Sequence, residues 1–339
     1  MKLVRAYWSG TTPRLASIAL TAVTAPLSVL FGAGVRTRNF AYDRGVFRVE
    51  DPPIPVLSVG NLTVGGTGKT PVSGWLLAFL REAGAHPALV TRGFGEDEVL
   101  LHRRWHPDLP VIEAPRRMEG VRQAADGGAD IVVVDDGFQH RQMGRAVDIV
   151  LLSPAQPLPA RLLPRGPWRE PLANLERADL VLVTAKTSRE REEALELLEQ
   201  LRARRRLPRA HLLAFRPGPW ADLAGSPAAP PEGPLLAPTS IAEPDAFIEL
   251  VARRSGSPVV EPLPFPDHHP YTPDDLEHIL ERAGDRMVVT TEKDAVKLLP
   301  LAGASAPRFR VLPIEPAPTP ALESALHALL ARATAGAVQ

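Results

Sequence analysis

No cysteine occurs anywhere in the 339 residues. That absence excludes disulfides, thiolate nucleophiles and cysteine-ligated zinc. Net charge is also missing: 39 Lys and Arg balance 39 Asp and Glu. Bulk nucleic-acid binding leans on an excess of cations, so no nucleic-acid partner is expected. No internal repeat is visible. What is present is enough apolar material for a real core. With 45% hydrophobic residues, the chain can build one large or two ordinary domains. The 37 prolines are many, but they cluster in connections and do not mark the whole chain as disordered.

The most informative stretch is Gly60-Asn61-Leu62-Thr63-Val64-Gly65-Gly66-Thr67-Gly68-Lys69-Thr70-Pro71. An apolar run, Ile54 to Val59, leads in, and a helix-compatible run, Val72 to Glu82, follows. This is a strand, a glycine loop and a helix, with Gly-Lys-Thr at the junction. Gly65, Gly66 and Gly68 let the backbone curl so that N–H groups, that of Thr67 included, face phosphate oxygens. The helix dipole adds to that cradle. Lys69 reaches the β- and γ-phosphates, and the Thr70 hydroxyl ligates Mg²⁺. Thr63 stands where the pattern usually has its first glycine. A nucleotide loop in a chain without disulfides points to a site facing the cytoplasm.

Further along, Ile131-Val132-Val133-Val134 reads as a buried strand ending in Asp135-Asp136-Gly137. A carboxylate at that place serves the metal shell in phosphate-loop enzymes, and a second orients waters or meets the acceptor. Asp-Asp-Gly is also ordinary turn chemistry. His140 and Arg141 follow and could face an anionic group. Pro266-Asp267-His268-His269-Pro270 sets a histidine pair in a proline-bounded loop. Neutral imidazole there could take a proton from an attacking hydroxyl. Glu96-Asp97-Glu98 reads as an acidic loop, one member of which could orient such a histidine. The Arg-rich run from Arg202 to Arg206 reads as a solvated helix end.

Leu15 to Val35 carries no charge and is mostly apolar. It is long enough for a bilayer core, although Pro26, Gly32, Gly34 and several hydroxyl residues weaken it. Arg5 and Arg14 precede it, and Arg36 and Arg38 follow, which suits a helix in the interface as well as one that spans. A cleaved signal is rejected, because export would part a nucleotide-binding domain from its nucleotide.

Strand patterns at Pro87–Thr91, 131–134, 147–152 and 178–184 alternate with helical ones. The expected fold is α/β, a doubly wound and mostly parallel sheet of the phosphate-loop type. A Pro- and Gly-rich seam from Pro217 to Pro238 precedes a smaller α/β unit. The expected division is an N-terminal apolar helix over 1–38, a nucleotide domain over 39–216 and a smaller domain over 217–339.

At this point the chain resembles the tetraacyldisaccharide 4′-kinase family, lipid A kinases of Gram-negative bacteria. The resemblance rests on residues 59–71, with the Thr63 departure a habit of that family. It also rests on Asn39-Phe40-Ala41-Tyr42-Asp43-Arg44-Gly45, Thr91-Arg92-Gly93-Phe94-Gly95 and Asp135-Asp136-Gly137-Phe138-Gln139-His140. The segments 163–171, Pro266-Asp267-His268 and 291–297 complete it in order. The resemblance implies ATP and Mg²⁺, and transfer to the 4′-hydroxyl of a tetraacyldisaccharide 1-phosphate at the cytoplasmic face of the inner membrane. It implies that Lys69 and Thr70 hold ATP and Mg²⁺, that Asp135 and Glu170 serve the metal, and that Asp136 serves the reacting centre. It pairs His268 with an aspartate, which is Asp97 here, although the local text Gly95-Glu96-Asp97-Glu98 departs from the family's Gly-Asp-Glu-Pro. Glu96 and Glu98 stay open as alternatives. No obligate protein partner is expected.

Two other classes remain in view: a GTP-hydrolysing switch or metallochaperone-type protein, and a non-catalytic nucleotide-binding membrane adaptor. The switch reads guanine with Asn-Lys-x-Asp. Here Thr184-Ala185-Lys186-Thr187 lacks the aspartate, and Thr291-Glu292-Lys293-Asp294 has its lysine one place late.

Overall fold

The structure is a computed structural model that describes residues 2–8, 11–93, 96–156, 158–203, 209–241, 244–257 and 259–335. Phe94, Gly95 and most of the Arg202–Arg206 run lie outside the described residues. The chain opens with two helices, α1 (Lys2–Trp8) and α2 (Arg14–Asp43). Next come β1 (Val56–Asn61), α3 (Lys69–Glu82), β2 (Pro87–Thr91), α4 (Glu96–Trp105) and β3 (Val111–Glu113). They are followed by α5 (Arg117–Asp126), β4 (Ile131–Asp135), β5 (Val147–Leu152), β6 (Leu180–Ala185), α6 (Ser188–Arg202) and β7 (Arg209–Pro217). The remainder is β8 (Leu235–Thr239), α7 (Pro244–Ser255), β9 (Val260–Pro264), α8 (Pro273–Ala283), β10 (Met287–Thr290), α9 (Glu292–Ala302), β11 (Phe309–Val311), β12 (Ile314–Ala317) and α10 (Pro320–Ala335).

The larger sheet has eight strands in the order β12-β7-β6-β5-β1-β4-β2-β3. All its pairings are parallel except β12 against β7. β1, β4, β5 and β6 are buried along their whole length, as strands covered on both faces must be. β1 stands where the order reverses. From it the chain runs to one side through β2, β3 and β4, and to the other through β5, β6 and β7. Ligands of open α/β sheets bind in the crevice at that point. The second sheet, β11-β10-β8-β9, is parallel and has its own core around Leu236, Val288, Leu298 and Phe309.

The expected sequence divisions fall in different places. The 38/39 boundary lies inside α2. The last strand and helix leave the smaller unit: β12 pairs with β7, and α10 buries Leu322, Leu326, Leu329 and Leu330 in the core beneath the larger sheet. Each such leucine contributes roughly 1.5–3 kcal/mol by burial, so the C-terminal helix is firmly tied to the nucleotide side. The acidic stretch 96–98 is also not a loop but the first turn of α4.

The helix α2 is amphipathic in the reverse sense. Its outward residues Leu15, Ile18, Val23, Leu27, Val29 and Leu30 are exposed, Leu15 at 84%. Its small polar residues face the body. Tyr7 Oη lies 2.9 Å from Thr21 Oγ1 and 3.0 Å from Thr24 Oγ1, and Ser28 Oγ donates to the Leu162 carbonyl at 2.9 Å. Gly32 packs so closely that a Cβ there would meet Leu162 Cδ1 at 2.8 Å. At the far end Asn39 Nδ2 donates to Glu170 Oε2 at 3.2 Å, and Arg38 Nη2 to the Gln139 carbonyl at 2.9 Å.

Candidate active site

The glycine loop joins β1 to α3. Gly65 and Gly68 have φ of +129° and +88°, backbone that other residues rarely adopt. Gly68 is required twice over, because a Cβ there would lie 2.8 Å from Phe215 Cζ. No side chain caps α3, and its first turn has no acidic residue, so its leading N–H groups stay available to an anion. The loop is held from outside. Asn61 Nδ2 donates to Thr67 Oγ1 at 3.0 Å, Thr184 Oγ1 to the Thr67 carbonyl at 3.1 Å, and Lys186 Nζ to the Gly66 carbonyl at 2.8 Å. Val64 N–H donates to the Pro167 carbonyl at 2.8 Å, and Arg169 N–H to the Leu62 carbonyl at 2.7 Å. This explains Thr63. It is buried, forms an antiparallel bridge with Trp168 and accepts a hydrogen bond from Gln156, so extended backbone serves where the usual pattern needs glycine.

The Lys69 ammonium lies 3.7 Å from Asp136 Oδ1. Asp136 takes φ +54°, a left-handed turn straight after β4, and accepts two bonds from Arg169 at 2.8 and 3.0 Å. Burial works against its charge. The Arg169 hydrogen bonds and the Lys69 charge outweigh burial and hold its carboxyl well below the usual range. Asp135 has the opposite environment. It is 5% exposed, and burial, with the Glu98 charge adding, pushes its carboxyl up despite Lys69. Two adjacent aspartates are thereby made chemically different.

The structure brings Asp97 and His268 together. Asp97 sits in the first turn of α4, 3% exposed, and His268 lies in the loop after β9. His268 Nδ1 is 3.0 and 3.1 Å from the two Asp97 oxygens. With Nδ1–H donating to the carboxylate, the neutral ring presents its Nε2 lone pair to an acceptor. The Asp97 hydrogen bond raises the histidine pKa against the effect of burial. Burial in turn opposes the Asp97 charge, but His268 and Lys293 keep it ionised below the usual range.

Of the two other acids beside Asp97, the Glu96 side chain lies outside the described residues, and Glu98 has a different place. Glu98 Oε1 accepts the Thr70 hydroxyl at 3.0 Å and Lys293 Nζ at 2.5 Å. One turn of α4 thus connects the phosphate loop to the histidine. Sequence reading passed over Glu98, Lys293 and Arg169 in these roles. A helix-start signal was present for α4, since three acids precede Val99-Leu100-Leu101.

Two of the expected site residues are engaged by protein partners. Glu170 is 2% exposed, and its Oε2 accepts Asn39 at 3.2 Å, Asn174 at 2.5 Å and Arg177 at 2.6 Å. Oε2 thereby ties α2 to the body, while Oε1 is buried with no hydrogen-bond partner among the described residues. Arg141 does not face a free anion. It donates to the Asn39 carbonyl at 3.0 Å and pairs with Asp43 at 2.7 Å. Among the described residues no three Asp, Glu or His side chains gather to enclose a metal. The hard oxygens of Thr70 and Asp135 do fit Mg²⁺, which uses one or two carboxylates together with phosphates and water.

An anion cradle one helical turn from a carboxylate-bound histidine is the equipment of a phosphate-loop kinase, which must hold a nucleotide and deprotonate an acceptor. The family model for tetraacyldisaccharide-1-P 4′-kinase matches residues 20–98 and 94–331. A tetraacyldisaccharide 4′-kinase of Halorhodospira halophila is 37% identical over 91% of this chain and 92% of its own. One from Alkalilimnicola ehrlichii is 34% identical over 98% of each. The fold is also that of LpxK from Aquifex aeolicus, crystallised in complex with ATP, with a TM-score of 0.71 and 24% identity over 91% of this chain and 99% of that one. The chain belongs to the tetraacyldisaccharide-1-P 4′-kinase family.

Proposed function

We propose that this protein transfers the γ-phosphate of ATP to the 4′-hydroxyl of a tetraacyldisaccharide 1-phosphate, giving the lipid A precursor lipid IVA. The observation that carries this reading is the 3.0 Å contact of His268 Nδ1 with Asp97, one residue from the Glu98 that accepts the Thr70 hydroxyl. His268 Nε2 accepts the hydroxyl proton as the oxygen attacks. Asp97 fixes the tautomer and balances the charge that forms on the ring. Lys69 and the α3 N–H groups neutralise the phosphates, and Arg169 keeps Asp136 turned toward Lys69. Thr70 and Asp135 would hold Mg²⁺, which supplies positive charge to the transferring phosphoryl group. A cavity of about 320 Å³, lined by Lys186, Thr187, Phe215 and Arg216, adjoins the glycine loop and suits the base end of the nucleotide. The GTP-switch alternative is not supported, because no aspartate follows Lys186 to read guanine.

The direct test is ATP-dependent transfer of labelled phosphate to the disaccharide 1-phosphate in detergent micelles. Absence of product from folded, ATP-binding protein overturns the proposal. Asp135→Asn is expected to raise the Mg²⁺ concentration needed for half-maximal rate about tenfold or more, since a hard cation loses an anionic oxygen. An unchanged Mg²⁺ titration would put the metal elsewhere.

The reverse amphipathicity of α2 supports a place at the cytoplasmic face of the inner membrane. The helix is long and apolar enough to cross a bilayer. Ser28 and Gly32 are nevertheless docked on the α/β body midway along it, which favours a helix lying in the interface with its Leu and Val face in lipid. Replacing Val23, Leu27 and Leu30 with serine removes roughly 1.5–3 kcal/mol of apolar transfer per side chain. The expected result is a shift from membrane to soluble fractions and a higher KM for lipid, with KM for ATP unchanged. Unchanged sedimentation with vesicles would exclude this face as the membrane contact.

A further inference from the structure

Lys297 stands on α9, one turn beyond Lys293, and its side chain is 11% exposed. Its ammonium donates to Ser240 Oγ at 2.6 Å and lies 3.3 Å from Asp294 Oδ1. It is 3.8 Å from Asp97 Oδ2 and 5.2 Å from the centroid of the Tyr271 ring. Two of these contacts lead to the two halves of the histidine–carboxylate pair. Asp97, which belongs to the larger sheet's side, is within direct reach of the Lys297 charge. His268, which belongs to the smaller unit, is reached through Ser240, whose carbonyl accepts the His268 N–H at 3.0 Å.

That backbone bond matters because His268 has φ +58°. A histidine keeps left-handed backbone only where its surroundings hold it there. The anchor beneath Ser240 is Asp294, which is fully buried. Asp294 accepts Ser240 N–H at 3.1 and 3.2 Å, Thr291 Oγ1 at 2.7 Å and Tyr271 Oη at 3.3 Å. Two buried carboxylates, Asp97 and Asp294, therefore share one nearby ammonium, each on a different structural unit.

We infer that Lys297 is a positioning residue for proton transfer, holding Asp97 and the Ser240–His268 backbone in one frame so that the imidazole keeps its aim at the acceptor hydroxyl. The contacts of Lys297 lie with Ser240, Asp294, Asp97 and Tyr271, so it acts through the pair. Small misplacements of a reacting group cost about 10²-fold in rate, which sets the scale of the effect. The inference rests on His268 being the base.

The test uses the full-length protein in detergent micelles and measures kcat, both KM values and thermal stability. The variants are Lys297→Met, Ser240→Ala, His268→Ala and each of the first two combined with the third. Lys297→Met is expected to lower kcat about 10- to 100-fold with KM for ATP within about twofold. Ser240→Ala removes the hydroxyl link to Lys297 together with its bond to Asp294, spares the carbonyl that holds His268, and gives a smaller loss in the same direction. In the His268→Ala background both changes are expected to have no further effect on kcat, because a frame without its base has nothing to aim. A purely structural lysine would instead lower kcat by the same factor in both backgrounds, and that result overturns the inference. Normal kcat in both single variants overturns it as well. Should Lys297→Met fail to fold, Ser240→Ala in the two backgrounds decides the matter by the same criterion. Near-normal kcat in His268→Ala itself would remove the base assignment, an outcome distinct from either of these.

Discussion

Lys69→Ala is expected to remove phosphate transfer, with a fall in kcat on the order of 10²–10⁵. The lysine begins α3 and sits where the glycine loop opens. Its charge cancels that of the β- and γ-phosphates as the γ-group leaves, a contribution made in the transition state. Its present partner, Asp136 at 3.7 Å, does not depend on it, because Arg169 donates to both Asp136 oxygens. Removing Lys69 therefore leaves Asp136 still paired with Arg169. The ion pair is half-open to solvent on the Asp136 side, and such pairs contribute about 0–1 kcal/mol. Thermal stability should move little while turnover collapses. Measured together, kcat and Tm separate loss of chemistry from loss of fold. Near-normal turnover by the folded variant would sink the kinase proposal.

Features set by local physics were legible in the sequence. The glycine loop announced itself because Gly65 and Gly68 are needed for backbone geometry at fixed offsets from Lys69. The strand ending at Asp135 was legible from its β-branched run. The apolar run Ile54 to Val59 marked β1 within two residues at each end. Contacts between distant segments were less legible. Asp97 and His268 are 171 residues apart, and only folding of both units brings α4 to the loop after β9. Residue type and a family pattern named the pair, but spacing alone left it open among three acids. The metal role expected of Glu170 came from the family resemblance alone. Of the three donors to Glu170, Asn174 and Arg177 lie within seven residues, and only Asn39 on α2 is brought from afar by the fold. The return of β12 to the larger sheet was hidden for the same reason. A four-residue strand carries almost no periodicity, and its place is decided by its partner β7.

Asp97 and His268 are expected to behave as one unit. A secondary alcohol is a poor nucleophile at neutral pH, and a positioned imidazole that takes its proton is worth about 10²–10⁴ in rate. His268→Ala should therefore lower kcat by that order while KM for ATP stays near normal, since the ring makes no contact with the glycine loop. Asp97→Ala should approach the same loss by another route. Without the carboxylate 3.0 Å from Nδ1, neither the tautomer nor the ring orientation is fixed, and the charge formed on the ring is unbalanced. Asp97→Asn is a milder probe, because an amide keeps the shape and removes the charge. If each residue works only through the other, the double variant Asp97→Ala/His268→Ala should be scarcely slower than the slower single variant. The measurement is kcat for the four variants under saturating ATP and lipid, with ATP affinity as the check on folding. Multiplicative losses would mean that the two side chains act independently, and the 3.0 Å contact would then be structural only. A near-normal Asp97→Ala beside a crippled His268→Ala would leave the histidine as base and pass its orientation to its other neighbours. The nearest are Asp267, 4.0 Å from Nε2, and the Ser240 carbonyl that holds its backbone.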